Sequence, residues 1–408
     1  MKPISNFPEP APAASAWRLD PRVVMLNHGS FGACPRVVLE RQQALRERLE
    51  AELVRFFMRE LEALLDESRE MLARLVDAPP SDVVFVRNAT AAVNGVLRSL
   101  PLAPGDEILM TDHEYNACAN AVRFVAERTG AHAVTARLPL PIGSSDEIVD
   151  RIMEHVTDRT RLAVLDHVTS PTAVVMPIER LVARLGDRGV DVLVDGAHAP
   201  GMIPLAVEQL GAAYYTGNCH KWLCAPKGAG FLYVRPNRQE GIHPAVISHG
   251  LNSSRPGHTR FQDEFDWTGT DDPTPWLCVG EAIRFLESFD GGLTGVMRHN
   301  RELARAAREI LCSRLGLKPV CPAEMLGSMA ALGLPEEAVV PTKDRGGGGF
   351  EIHPLQTELL ERFGVEVPIL YWPDPSRLIL RVSAQLYNSR GQYEYLADVL
   401  DSCLPAPR

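Results

Sequence analysis

The stretch from Asp191 to Val234, DVLVDGAHAPGMIPLAVEQLGAAYYTGNCHKWLCAPKGAGFLYV, constrains this chain more than any other. VDVLVD is short, β-branched and closed by an acid and a glycine, the pattern of a buried parallel strand. Asp195 then falls at the strand's carboxyl end, where open α/β sheets gather ligands. GAAYYTG predicts a second strand, followed by His220, Lys221, Trp222, a Pro-Lys-Gly turn and the strand GFLYV. Desolvation of a lysine so placed lowers its pKa towards that of a nucleophilic amine. Singly, Asp195 serves equally as a turn cap and Lys221 as a solvated cation. Their pairing on neighbouring strand ends gives the stretch its chemical character.

Upstream, residues 1–24 are rich in Pro and Ala and read as an extended arm. LNHGSFG places Asn27 and His28 in a small polar loop, and Pro35 opens a long helix. The strand DVVFV runs into Arg87, Asn88, Ala89 and Thr90 and then the helix AAVNGVLRSL. Such a turn offers free N–H groups and a positive dipole end to an anion, and Thr90 is equally a good helix cap. DEILMTD is followed by His113 and Tyr115. Either ring can lie against a flat ligand, with Tyr115 preferred, and Tyr115 also serves as a staple at a helix entry. RLAVLDHVTSPT ends a strand near Ser170, a turn residue that can also reach a ligand. The alternation of strands and helices from 80 to 235 argues for a mostly parallel sheet covered by helices. ISHGLNSSRPGHTRFQDEFDWTGTDDPTPW is polar, Gly- and Pro-rich, and reads as a long loop. Gly346 to Gly349 read as a turn. RLILRVSAQLYNS carries Arg381 near a strand end, suited to a bidentate clamp on a carboxylate as well as to an ordinary salt bridge.

An acid and an amine on adjacent strand ends suit pyridoxal phosphate: the amine links the cofactor and the acid holds its ring nitrogen protonated. D-G-A-H, H-K-W, N-H-G-S-F-G and W-T-G-T together resemble the class V aminotransferase family of fold-type I pyridoxal-phosphate enzymes, over roughly residues 25–400. The nearest branch is the isopenicillin N epimerase-like one. The resemblance implies an α/β fold with a seven-stranded, mostly parallel sheet in a large domain (25–285) and a small C-terminal α+β domain (286–408). It implies a Schiff base on Lys221, with Asp195 on the ring nitrogen and Tyr115 against the ring. Asn88, Ala89, Thr90 and His220 would bind the cofactor, with Ser170 and His198 beside its 3-oxygen. Asn27, His28 and Arg381 would bind substrate. It also implies a homodimer in which Thr270 reaches the partner's phosphate site.

Cysteine desulfurases carry a nucleophilic cysteine shortly before the carboxylate-binding arginine. Here GVEVPILYWPDPSRLILR has none, which disfavours persulfide chemistry. With Lys221 as general base at Cα, epimerisation of an amino acid or peptide-like substrate is the leading expectation, and Tyr115 and His28 are candidates for a second acid. C–S lyase and aminotransferase reactions follow as alternatives. A non-catalytic binding protein on the same scaffold is a distant one, since Lys221 is present and no DNA-binding module is appended.

Composition sets the remaining bounds. The 408 residues carry a net charge of −10, with no long basic run, so nucleic acid is not an expected partner. Only five lysines occur, and of these Lys221 and Lys227 alone fall in the strand-rich centre. Eight scattered cysteines without a C-x-x-C point to reduced thiols, neither a disulfide framework nor a metal site. With no signal-peptide core and no run of ~18 apolar residues, a cytoplasmic enzyme is expected.

Overall fold

The computed structural model describes residues 7–339, 352–374 and 376–404; Gly346 to Gly349 lie outside them. Its centre is a seven-stranded sheet of β1 (Val83–Val86), β2 (Glu107–Thr111), β3 (His132–Ala136), β4 (Thr160–Asp166), β5 (Asp191–Gly196), β6 (Tyr214–Asn218) and β7 (Gly230–Val234). The spatial order is β1-β7-β6-β5-β4-β2-β3. Only β7 runs antiparallel to its neighbours, and the other pairings are parallel. This is the fold-type I sheet expected from the sequence.

Period-2 alternation explains why these runs are apolar throughout. Val83 and Phe85 join one hydrophobic cluster and Val84 and Val86 the other. Likewise Val192 and Val194 face one side of β5 and Leu193 the opposite side. Helices therefore cover both faces, among them α1 (Arg36–Ala51), α2 (Leu61–Val76), α3 (Ala89–Ser99) and α4 (Asn116–Thr129).

A second sheet is wholly antiparallel: Ile369–Tyr371 pairs with Leu378–Ser383, that strand with Met329–Gly333, and Met329–Gly333 with Lys318–Pro319. It packs beneath the 24-residue helix Gly292–Leu315 and helix Arg390–Cys403. The N-terminal segment is tied to this part of the molecule, because Val24–Met25 pairs in parallel with Val365–Glu366. The arm is not uniformly extended. Pro12–Ala16 makes a 3₁₀ turn, and Trp17 is buried with its ring edge-on to Phe285 and Tyr387.

The supposed loop before Thr270 contains helix Arg260–Asp266. Thr259 and Gln262 form a capping box, and Phe261 and Phe265, four residues apart, go into the core. Its buried acids are paired: Arg255 holds Asp263 and Asp266, and Arg69 holds Asp266 at 2.7 Å. Polar composition hid an element whose charges are neutralised from a distance. No helix among the described residues is long and apolar enough to cross a membrane.

Candidate active site

The sheet's carboxyl edge delivers Asp195 from β5 and Lys221 from the turn after β6 into one cavity of about 280 Å³. Asp195 is 1% exposed and Lys221 9%. Burial, together with the charge of Arg381, brings the Lys221 amine down to about 8. Its Nζ lies 2.9 Å from Nε2 of His198. The indole N–H of Trp222 donates to Nδ1 of His198 at 3.4 Å, which puts the imidazole proton on Nε2, facing the amine. An Nε2–H so placed donates a hydrogen bond to the amine once the amine is neutral. Asp195 accepts from the Ala197 N–H at 2.9 Å and from the Cys118 thiol at 3.1 Å, so both oxygens have donors while the side chain still lines the cavity.

The anion end is built on α3. Asn88, in extended backbone, caps the helix by accepting from the Ala91 N–H at 2.9 Å, and Ala89 N–H donates to Asn218 Oδ1 at 2.9 Å. Thr90, Arg87, His220 and Lys227 line the same end. His220 is anchored through Nδ1 on the Ala229 carbonyl, and Lys227 donates to the Gly32 carbonyl at 2.8 Å. Gly32 explains the N-H-G-S-F-G motif. It has φ +70, and a Cβ there would sit 2.0 Å from the His220 carbonyl and 2.9 Å from Lys221 Cα.

Tyr115, half-buried, lines the cavity. His113 does not. It hydrogen-bonds Thr172 at 2.8 Å and packs edge-on to Trp372, 4.2 Å between ring centres. Ser170 lines the cavity and is gripped by Arg381 through its carbonyl and hydroxyl. Arg381 is 3% exposed and also donates to Ser30 at 2.9 Å, while Asn27 lies 3.5 Å away. Its Nε has no partner, and no carboxylate pairs with it among the described residues. A buried guanidinium left in that state, behind cavity-lining Ser30 and Ser170, suits a carboxylate.

Four sequence candidates do not line the cavity themselves: Asn27 and Arg381 stand behind cavity-lining Ser30 and Ser170, and His28 and Thr270 lie further apart. His28 does not line the cavity: its ring spans from the Tyr387 hydroxyl to the Lys221 carbonyl, both at 3.0 Å, and burial brings it down to about 3. It braces the lysine's backbone. Thr270 is exposed and does not line its own chain's cavity, although the adjacent Asp271 pairs with cavity-lining Arg87. Sequence reading named Arg87 in the anion turn and Lys227 beside Lys221 but fixed no role for either, and it missed Asp166, Asn218 and Cys118. Only the strand-end position of Asp166 carried any signal of them.

A buried amine, a buried acid with its own donors, a ring at the cavity wall and a helix N-terminus at the far end fit pyridoxal phosphate. These features define a fold-type I pyridoxal-phosphate enzyme. Residues 27–334 match the model of the family Aminotransferase class-V. The chain is 38% identical to isopenicillin N epimerase of Amycolatopsis lactamdurans, over 95% of this chain and 98% of that protein. It is 34% identical to a probable chloroplastic L-cysteine desulfhydrase of Arabidopsis thaliana, over 94% and 83% respectively. The crystal structure of the Escherichia coli cysteine desulfurase CsdA superposes with a TM-score of 0.75 at 25% identity, covering 96% of this chain and 98% of that one. The chain belongs to the class V aminotransferase family, and its cofactor is pyridoxal 5′-phosphate.

Proposed function

We propose that the enzyme removes the α-proton of a small amino acid and eliminates its β-substituent, as a C–S lyase acting on L-cysteine or a close relative. The observation that carries this reading is the supply of bases. Lys221 is brought to about 8 beside Asp195, whereas Lys227, also lowered by burial, is spent on the Gly32 carbonyl and His28 is tied to two partners and held neutral. Elimination needs one base at Cα, whereas epimerisation needs a proton delivered to the opposite face as well. The cavity, about 280 Å³ for cofactor and substrate together, also favours a small substrate. The bound cofactor supplies an electron sink for the Cα carbanion. Arg381 binds the substrate carboxylate, Lys221 takes the proton, and Asp195 fixes the ring nitrogen. The balanced reaction converts cysteine and water to pyruvate, ammonia and hydrogen sulfide.

A second reading, epimerisation, is favoured by the 38% identity to an epimerase over nearly the whole chain and by Tyr115, a phenol at the cavity wall. In either case we infer a homodimer with Thr270 serving the partner's phosphate site. Its exposure and its tether through Asp271 to Arg87 support this arrangement.

The test incubates holoenzyme with L-cysteine in D2O and follows sulfide, pyruvate and the stereochemistry of recovered substrate. Equimolar sulfide and pyruvate, reduced about a thousandfold in Lys221→Ala, is the expected result. Deuterated D-cysteine without pyruvate would move the enzyme to the second reading.

A further inference from the structure

Behind the ring-nitrogen acid lies a group of carboxyls that the mechanism above does not use. β5, β4 and β2 are consecutive neighbours in the sheet, and their carboxyl ends bring together Asp195, Asp166 and, three residues past β2, Glu114. Asp166 and Asp195 are in register on adjacent parallel strands, so their side chains share a face. Glu114 is 6% exposed and Asp166 3%. Both oxygens of Glu114, and Oδ2 of Asp166, have no hydrogen-bond partner among the described residues. Ligand atoms of Glu114, Cys118 and Asp195 all lie within 4.8 Å of one another.

Three negative charges cannot share such a corner. At that spacing each added like charge shifts an ionisation equilibrium on the order of a hundredfold. The charged groups bearing on Glu114 are Asp166 from β4 and Asp195 from β5, with the Cys118 thiol on α4 beside them. Lys221, the cation of the site, acts on Asp166 and Asp195. Competition for the proton is decided by donors. Burial also raises Asp195, but the Cys118 thiol and the Ala197 N–H on its two oxygens, together with Lys221, oppose that rise and favour its ionised form. Glu114 has no comparable pair. Burial, reinforced by Asp166 and Asp195, holds its carboxyl well above the usual range.

We propose that Glu114 is a positioning residue, a carboxylic acid kept protonated behind Asp166 and Asp195 so that Asp195 remains the ionised carboxylate facing the cofactor ring. The proposal rests on the cofactor site and not on which product the enzyme makes. The neutrality of Glu114 spares Asp195 a further negative charge.

The test is infrared spectroscopy of the holoenzyme at neutral pH, read alongside the pH midpoint of its visible absorbance transition. The expected spectrum contains the carbonyl stretch of a protonated carboxylic acid, shifted by 13C-glutamate labelling of the natural chain and absent from Glu114→Gln. Glu114→Gln, which keeps a neutral donor, should move the absorbance midpoint by less than about 0.3 pH. Absence of a glutamate-sensitive band in the natural protein, or a fall of about one unit or more in the midpoint of the variant, means that Glu114 is ionised and overturns the proposal. The labelling experiment needs no variant, so poor folding of Glu114→Gln leaves the question decidable.

Discussion

Arg381 shows how a residue's surroundings bear on what its sequence leaves open. In sequence it serves a salt bridge or a substrate clamp equally well. In the fold it is buried, burial lowers it to about 10, and its donors reach Ser30 and the carbonyl and hydroxyl of Ser170. The free Nε, with no acid to neutralise the group, leaves the charge for a ligand. A lysine retains the charge but loses the planar fork. Arg381→Lys should therefore raise KM for an α-amino acid by about 10- to 100-fold, with a smaller fall in kcat, the value of a charge-assisted hydrogen bond. Steady-state kinetics against the amino acid and against the amine lacking its carboxylate checks this, since the amine should not register the change. His28 is the opposite case. The resemblance made it a substrate ligand, but the close approach of Gly32 to the Lys221 backbone and the His28 bond to the Lys221 carbonyl make the loop a brace.

Elements were legible where a local period or a cap wrote them. Each strand of the large sheet follows from a short apolar run, and α3 from a polar turn at a strand end. The cap, however, is Asn88, two residues before the Thr90 read from the sequence. Illegible were partnerships set by strand order. Glu114, Asp166 and Asp195 are up to about 80 residues apart, and nothing local says that β2, β4 and β5 stand side by side. Helix Arg260–Asp266 was missed for the same reason, since its acids are paired by Arg69 and Arg255 from elsewhere. The assignment of Asn88 makes a prediction for α3 as a unit. Asn88→Ala should cost the cofactor-free protein about 1 kcal/mol. Asn88→Asp should keep that stability yet weaken cofactor binding, because the new charge opposes the phosphate at the helix N-terminus. Thermal unfolding of the cofactor-free protein and cofactor titration separate the two effects.

At the scale of the molecule, the site is assembled from buried ionisable groups of two kinds, and their opposition fixes how stability depends on pH. His28 and His113 are held down to about 3, and His167 and His220 to about 4, mainly by burial. In the unfolded chain all four protonate near 6.5. Their contribution is complete above that value and is lost as pH falls from about 6.5 towards 4, because the unfolded state binds protons that the folded state refuses. Glu114 and Asp166 are raised by burial and by neighbouring carboxylates, so the folded state holds protons that the unfolded state releases above about 4.3. Their term has the reverse sign and lowers stability as pH rises. Between about 4.3 and 6.5 these histidines, joined by His198, outweigh the raised acids Glu114, Asp166, Asp195 and Asp112, and above 6.5 the acids prevail until Lys221, lowered to about 8, begins to lose its proton. The cofactor-free protein should accordingly show its highest unfolding temperature near pH 6.5, falling on both sides. Glu114→Gln, which removes one opposing acid over the whole range above about 4.3, should flatten the alkaline side and steepen the acid side. Scanning calorimetry from pH 5 to 8, below the range where Lys221 titrates, reads this on both proteins, and a natural protein whose stability climbs steadily to pH 8 would show that the acids are ionised in the folded state.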